Sequence, residues 1–159
     1  MDQFTRRIIG FGVHSGVVDG PSLCRMFNRA IGGVETPKYI SSDHDLLFAF
    51  HRWKANLRIL DVAEVKTVPY VPISHPFMQR VVGTFRREYL DQVPFWTTHD
   101  LKRKLLRFKD YYNNQRTHHA LNGVTPTAKA GKLTPEVADL NNFRWPSHCR
   151  GLYQVPVAA

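Results

Sequence analysis

Short apolar runs predict the strands of this chain. Arg7 to Val13 is largely apolar and is followed by Ser15-Gly16, which favours a buried strand rather than a helix. Asp2 to Phe4 would then be the end of a strand just before it. Lys38 to Ser42 and Val65 to Val68 predict two further strands. The strands therefore lie mainly in the first half of the chain.

Apolar residues recur at helical spacing in four segments. The predicted helices run from Pro21 to about Ile31, from about Phe50 to Leu60, from Pro76 to about Leu90, and from about Thr98 to Asn114. The last of them should bury Leu101, Leu105, Phe108 and Tyr112, with Lys102, Arg103, Lys104, Arg107 and Lys109 directed elsewhere. Three prolines between residues 69 and 76 predict an extended loop. The order of elements favours an α/β protein with a mixed sheet flanked by helices.

The composition of the chain favours a globular protein with one buried core and a polyanionic partner. The 159 residues are 43% hydrophobic, enough for one buried core, and residues 127–159 are expected to be a linker and C-terminal tail. The net charge of +9 favours a polyanionic partner. The sequence contains neither a run of about eighteen apolar residues nor a secretory signal, so we expect no membrane partner and a cytoplasmic location. Cys24 and Cys149 are expected to be reduced thiols.

Three polar positions suggest a site for metal-dependent phosphoryl transfer. Asp2 lies on the predicted first strand, Asp43 follows a later strand, and Gln79 falls in the first turn of a predicted helix. Carboxylates at such positions commonly hold two magnesium ions, because Mg²⁺ prefers anionic oxygen ligands. Thirty-five residues separate Asp43 from Gln79. Asp45 is the local competitor of Asp43, although it is explained equally well as the N-cap of a helix.

This spacing resembles the Asp…Asp-35-Glu pattern of retroviral integrases and bacterial insertion-sequence transposases. The phrases that carry the resemblance are Asp2-Gln-Phe-Thr-Arg-Arg, Ser41-Ser-Asp-His-Asp, Ser74-His-Pro-Phe-Met-Gln-Arg, Gly83-Thr-Phe-Arg-Arg-Glu-Tyr-Leu-Asp and the segment from Tyr111 to Pro126. The resemblance implies a partial integrase catalytic core over residues 1–126, with a ribonuclease-H-like fold whose first strand is truncated. It also implies DNA as a partner, and assembly with itself or with a full-length transposase.

The family holds Mg²⁺ or Mn²⁺, which activates a water or a DNA 3′-hydroxyl. The resemblance makes Asp2 and Asp43 metal ligands and places Gln79 where the family has its catalytic Glu. Glutamine offers a metal only a neutral carbonyl, so the site has one negative charge fewer. We therefore expect metal binding to be weakened and strand transfer to be slow or absent, as in a degenerate fragment.

Two other functions stay open at this stage. One is a non-enzymatic DNA-binding or subunit-interaction protein that modulates a full-length transposase, and the other is a residual metal nuclease that uses Asp2 and Asp43 alone. Between residues 80 and 119, nine Lys and Arg stand against four Asp and Glu. Phosphate contacts in this segment are expected from Arg80, Arg86, Arg87, Lys102 and Arg103. A solvated helix face explains the same residues nearly as well.

Overall fold

The computed structural model describes residues 1–67, 76–131 and 143–158. The chain forms two compact units, one of Ile9–Thr84 and one of Met1–Ile8 together with Phe85–Ala159. The predicted three-proline loop lies mostly outside the described residues. The predicted division between 126 and 127 is not decided by these units and stays a prediction.

The Ile9–Thr84 unit begins with helix α1 (Gly20–Ile31), followed by strand β1 (Tyr39–Ser42), helix α2 (His51–Ile59) and strand β2 (Ala63–Lys66). Asp19 caps α1 by accepting a hydrogen bond from the Ser22 amide at 2.8 Å. The two strands pair in parallel, with Tyr39 opposite Ala63 and Ser42 opposite Lys66. Their carboxyl ends therefore lie at one edge of the pair.

The core of this unit is built around Trp53, whose ring is 1% exposed. Leu57 and Val62 are buried with it, and Leu23 and Phe27 of α1 pack against them. The Phe27 and Trp53 rings meet edge to face at 5.1 Å. This contact explains the predicted apolar stripes of α1 and α2. Helix α3 (Pro76–Phe85) follows later in the chain, and the unit ends within it.

The second unit contains a π-helical turn at Arg86–Leu90, then helix α4 (Thr98–Asn114) and the short helix α5 (Pro126–Lys129). Strands β3 (Phe143–Arg144) and β6 (Val157–Ala158) pair antiparallel, as do β4 (Ser147–His148) and β5 (Tyr153–Gln154). The core is aromatic. Tyr89 and Phe108 are fully buried and stack at 5.7 Å.

Most of the predicted elements are confirmed. Helix α4 has the predicted bounds, and β1 begins one residue later than expected. Strand β2 covers residues 63–66 rather than 65–68. The described strands form three two-stranded sheets, parallel in one case and antiparallel in two, rather than one mixed sheet. Short sheets with flanking helices are nevertheless the predicted class of architecture.

The predicted strands at residues 2–4 and 7–13 are wrong, because residues 3–5 form a turn and residues 6–13 are irregular. The backbone of Ile8 bonds to a side chain instead of a strand: its amide donates to Asn113 Oδ1 at 2.8 Å, and its carbonyl accepts from Asn113 Nδ2 at 2.9 Å. Gly10 and Gly12 lie against α1. A Cβ on Gly12 would be 2.9 Å from the Met26 Cβ, and one on Gly10 would overlap the Ala30 carbonyl. The apolar run therefore packs without joining a ladder.

Lys104 also differs from the prediction, since its side chain is 2% exposed. Its ammonium donates to the Pro94 carbonyl and to Asp100 Oδ2, the latter at 2.7 Å. The hydrogen bond from Lys104, aided by one from Arg103, lowers the pKa of Asp100 to about 2. Lys104 thus ties the start of α4 to the preceding loop and is not available to a ligand.

Candidate functional site

Asp43 lies directly after β1, at the carboxyl edge of the parallel pair, as predicted. Its side chain is exposed, and its Oδ1 accepts the Asp45 amide at 3.1 Å. Asp45 in turn caps the 3-10 helix Leu46–Ala49 by accepting the Leu47 amide at 2.8 Å. The interpretation of Asp45 as an N-cap is therefore confirmed.

A cation stands beside Asp43. The Lys66 ammonium donates to the Asp43 carbonyl at 3.2 Å and to Ser42 Oγ at 3.0 Å, and it pairs with Glu64 at 2.9 Å. It also lies 5.3 Å from the centre of the Phe48 ring. Lys66 thus supplies a positive charge at the strand edge where the sequence suggested a metal ion.

Glu64 is the acidic partner in this cluster, and sequence reasoning missed it. Its Oε1 accepts from Ser42 Oγ at 2.6 Å and from Trp53 Nε1 at 3.2 Å, in addition to Lys66. Burial alone would raise the pKa of Glu64, but these hydrogen bonds and the Lys66 charge together lower it. The only signal in the sequence was that Glu64 and Lys66 are two residues apart on a short strand, which places their side chains on the same face.

Asp2 lies directly before the turn of residues 3–5, within the other compact unit. Its Oδ1 accepts the Phe4 amide at 3.0 Å, and its Oδ2 accepts the Thr5 hydroxyl. Burial opposes ionisation, but the bonds from Thr5 and Phe4 outweigh it and lower the pKa of Asp2. Both carboxylate oxygens are therefore engaged in a local turn motif.

Gln79 is the fourth residue of α3, so its predicted place in the first turn is confirmed. Its side chain is exposed. The structure thus places Asp43 and Gln79 in the Ile9–Thr84 unit at the expected kinds of position, a strand end and a helix start. Asp2 belongs to the other unit.

These donors do not fit a divalent metal centre. Over residues 1–67, 76–131 and 143–158, no group of three His, Cys, Asp or Glu side chains is arranged to hold a metal ion. Both Asp2 oxygens already accept hydrogen bonds, residue 79 has no carboxylate, and Lys66 places an ammonium on the Asp43 carbonyl. The chemistry of the donor set therefore disagrees with the two-metal pattern of the family.

The five basic residues predicted to contact DNA are all exposed. Arg80 lies on α3, Arg86 and Arg87 lie in the π-helical turn, and Lys102 and Arg103 lie on α4. Arg103 pairs with Asp100 at 3.1 Å. Exposure makes these side chains accessible to phosphates, and their DNA contacts stay a prediction.

A second polar cluster in the Phe85–Ala159 region was also missed. Arg116 forms two hydrogen bonds to the Glu88 carboxylate, at 2.7 and 3.1 Å, and lies over the Tyr112 ring. The Tyr153 hydroxyl donates to the Glu88 carbonyl, and the Tyr153 and Tyr111 rings stack at 4.3 Å. Tyr111 and Tyr112 of α4 are thus buried packing residues, which confirms the prediction made for Tyr112.

Comparison with known proteins agrees with this architecture. Residues 60–126 match the family described as "Integrase core domain". The "Insertion element IS407 uncharacterized 31.7 kDa protein" of Burkholderia multivorans is 25% identical over 139 residues, which are 83% of this chain and 47% of the relative. The chain therefore spans about half the length of the curated relative that it matches.

Two solved structures share the fold. The catalytic core domain of BIV integrase superposes with a TM-score of 0.52 at 19% identity, over 72% of each chain. A chain in the simian T-cell lymphotropic virus intasome with PP2A regulatory subunit B56 gamma gives a TM-score of 0.62 at 16% identity, over 90% of this chain and 54% of that one. Together with the family match over residues 60–126 and the insertion-element relative, these likenesses show that the fold of this chain is similar to that of integrase catalytic cores.

Proposed function

We propose that the chain is a transposase or integrase core protein that no longer catalyses polynucleotidyl transfer. The observation that carries the proposal is Gln79, which lies in the first turn of α3 where the resembling family has a catalytic Glu. A neutral amide at this position removes one of the charges that would hold divalent cations. The engaged carboxylate of Asp2 and the ammonium of Lys66 support the same conclusion.

A strand-transfer assay tests this proposal. The protein is incubated with Mg²⁺ or Mn²⁺, a labelled duplex that matches the end of the mobile element, and a target plasmid. We expect no joining above the level without metal. Robust joining that is lost in Asp43→Asn would overturn the proposal, because that variant changes the charge of one site residue only.

A matched variant, Gln79→Glu, separates two causes of inactivity. One is the missing carboxylate at position 79, and the other is the engagement of Asp2 together with the ammonium of Lys66. The added carboxylate leaves Asp2 in its turn and Lys66 at the strand edge, so we expect Gln79→Glu to remain inactive as well. Joining by Gln79→Glu alone would assign the loss to residue 79 and would contradict the role given to Asp2 and Lys66.

The second candidate function is a non-enzymatic DNA-binding or subunit-interaction protein that modulates a full-length transposase. The net charge of +9 and the five exposed basic residues favour it. Co-precipitation with the intact transposase and its inhibition by this chain would be the expected results. Lack of both at micromolar protein would reject this candidate without bearing on the strand-transfer result.

A further inference from the structure

Two neighbouring clefts lie along the first half of α4 in the Phe85–Ala159 region. The first, of about 470 Å³, is lined by Arg103, Arg107 and Arg150, with His148 and Asp110. The second, of about 480 Å³, is lined by Arg103 and Arg150 again, together with Trp96. Because Arg103 and Arg150 line both clefts, the two clefts form one continuous surface. We call it the arginine surface.

The arginine surface has an excess of positive charge, because Arg103, Lys104, Arg107 and Arg150 line it against two carboxylates, Asp100 and Asp110. Asp100 is engaged by Arg103 and Lys104, and Asp110 accepts a hydrogen bond from Asn114 at 2.7 Å. Arg107 and Arg150 are exposed and form no ion pair within the described part of the chain. Two guanidinium groups are therefore free to bind phosphate oxygens, a geometry to which arginine is well suited.

The hairpin that carries Arg150 is held in an unfavourable conformation. Cys149 and Arg150 have φ of 53° and 64°, in the left-handed region, and Gly151 follows at 86°. A side chain in this region is less favourable than glycine, so a stability argument alone would favour Gly at position 150. The strained conformation directs an arginine to the point where the two clefts join.

His148 adds a polar group to the same place. Its Nε2 is buried and has no hydrogen-bond partner among the residues that the structure describes. Its ring packs against Tyr111 at 5.9 Å. His148 thus places a polar ring in the lining of the cationic cleft.

Trp96 determines which class of anion fits. It is 87% exposed and lines the second cleft. An exposed indole beside arginines allows a base to stack while the adjoining phosphates pair with guanidinium groups. In a duplex the base faces are already stacked, and an acidic peptide has no base to offer.

We propose that the arginine surface binds an unpaired stretch of nucleic acid, with a base on Trp96 and phosphates on Arg107 and Arg150. This site and ligand class go beyond the proposed function, which concerns the loss of transfer chemistry around Asp43 and Gln79. Binding here requires no metal ion and no chemistry at those residues.

Fluorescence anisotropy with the full chain tests the proposal. The probes are labelled oligothymidylate and oligouridylate of about twelve nucleotides and a duplex of the same length. We expect both single strands to bind more tightly than the duplex, and the preference between them to identify DNA or RNA as the source. Equal or tighter binding of the duplex would overturn the proposal.

Substitutions locate the site. Trp96→Ala and the double variant Arg107→Gln/Arg150→Gly should each weaken single-strand binding at least about fivefold. Glycine at position 150 suits the left-handed backbone, so the double variant should stay folded, as checked by circular dichroism. The matched control, Arg52→Gln/Arg58→Gln on α2, removes the same charge and should change affinity much less.

Two results would reject the site. One is an equal loss of affinity in the α2 control and in Arg107→Gln/Arg150→Gly. That result would show that affinity depends on total charge and not on a site. The other is displacement of the labelled oligonucleotide by polyglutamate as effectively as by unlabelled oligothymidylate of equal charge. That result would show that the surface binds any polyanion. Neither result depends on strand transfer, so failure of this inference is distinguishable from failure of the proposed function.

Discussion

At the scale of single residues, burial and partners separate the polar groups with structural roles from those available to ligands. Glu64 has three donors, and the Lys104 ammonium is buried on Asp100 and the Pro94 carbonyl. Arg107 and Arg150 are exposed instead. The charge of a side chain therefore does not indicate its role until its hydrogen-bond and ion-pair partners are known.

Glu64→Gln should destabilise the protein by about 1–3 kcal/mol, because the change weakens the charge-assisted bonds from Lys66, Ser42 and Trp53. The pKa of Glu64 is lowered in the folded state. Its contribution is therefore present above the unfolded pKa and is lost as pH falls through the folded one. Urea denaturation at pH 7 and pH 4 measures both effects. A variant with unchanged stability at pH 7 would contradict this role.

His118 should make the protein sensitive to mild acid. Burial, and then the nearby Arg116 charge, lower the pKa of His118 below its ordinary value of 6.5. Below pH 6.5 the unfolded chain binds a proton that the folded ring resists, so stability falls as pH falls through this range. Thermal unfolding between pH 7.5 and 5.5 should show a decrease that is smaller in His118→Gln. His14→Gln, at an exposed position, is the control.

At the scale of elements, side chains replace the backbone partner that a strand would have. Asn113 on α4 bonds both the amide and the carbonyl of Ile8. The side chain of Ile8 is 2% exposed, which satisfies the hydrophobic pattern that predicted a strand. A ladder and an amide side chain meet the same hydrogen-bonding need.

Asn113→Ala should destabilise the protein by about 2–4 kcal/mol, since it leaves two buried backbone groups of Ile8 without partners. Asn28→Ala is the matched control: Asn28 also exchanges two hydrogen bonds, with Asn56, but at an exposed position. Its loss should cost less than about 1 kcal/mol. The midpoints of urea denaturation measure both effects. Equal losses of stability in the two variants would contradict the role of the two Ile8–Asn113 hydrogen bonds, which we call the Ile8–Asn113 clamp.

The success and failure of sequence reasoning follow from the same physics. Helix α4 was predictable to its ends because Thr97 caps it and its apolar stripe has a clear helical period. The positions of Asp43 and Gln79 followed from a strand end and from Pro76 at a helix start. The glycines that bring residues 10 and 12 onto α1 carry no periodic signal, so that segment was misinterpreted.

The candidate site was less predictable than the fold. Family spacing located Asp43 and Gln79, but nothing in the sequence indicated that Asp2 would cap its own turn. The burial of Lys104 and the network of Glu64 depend in part on partners ten or more residues away in sequence, Pro94 for Lys104 and Ser42 and Trp53 for Glu64. Likewise, no sequence pattern distinguished Arg107 and Arg150, which form no ion pair with any residue that the structure describes, from the paired Arg103 and Arg116.

At the scale of the whole molecule, the net charge of +9 should make any binding to nucleic acid depend on salt, through the Lys and Arg residues that contact phosphates. A single-strand complex that neutralises about three phosphates should weaken roughly 20-fold between 50 and 200 mM salt. The slope of log affinity against log salt should decrease in Arg107→Gln/Arg150→Gly and persist in Trp96→Ala. A slope that does not change in the arginine variant would contradict the assigned contacts.

None of the described helices is long and apolar enough to cross a membrane. Burial raises the pKa of the Cys149 thiol to about 11, and burial also raises that of Cys24. Both changes disfavour the thiolate, so these cysteines are suited to packing rather than to nucleophilic chemistry.

The Ile8–Asn113 clamp also sets an order for biosynthesis. The clamp joins residues 105 positions apart, and the whole Ile9–Thr84 unit lies between them in the chain. Because a ribosome releases the chain from the N-terminal side, that inner unit can fold while the partner of Ile8 has not yet been translated. Until Asn113 of α4 emerges, the backbone amide and carbonyl of Ile8 lack the partner that they have in the folded protein.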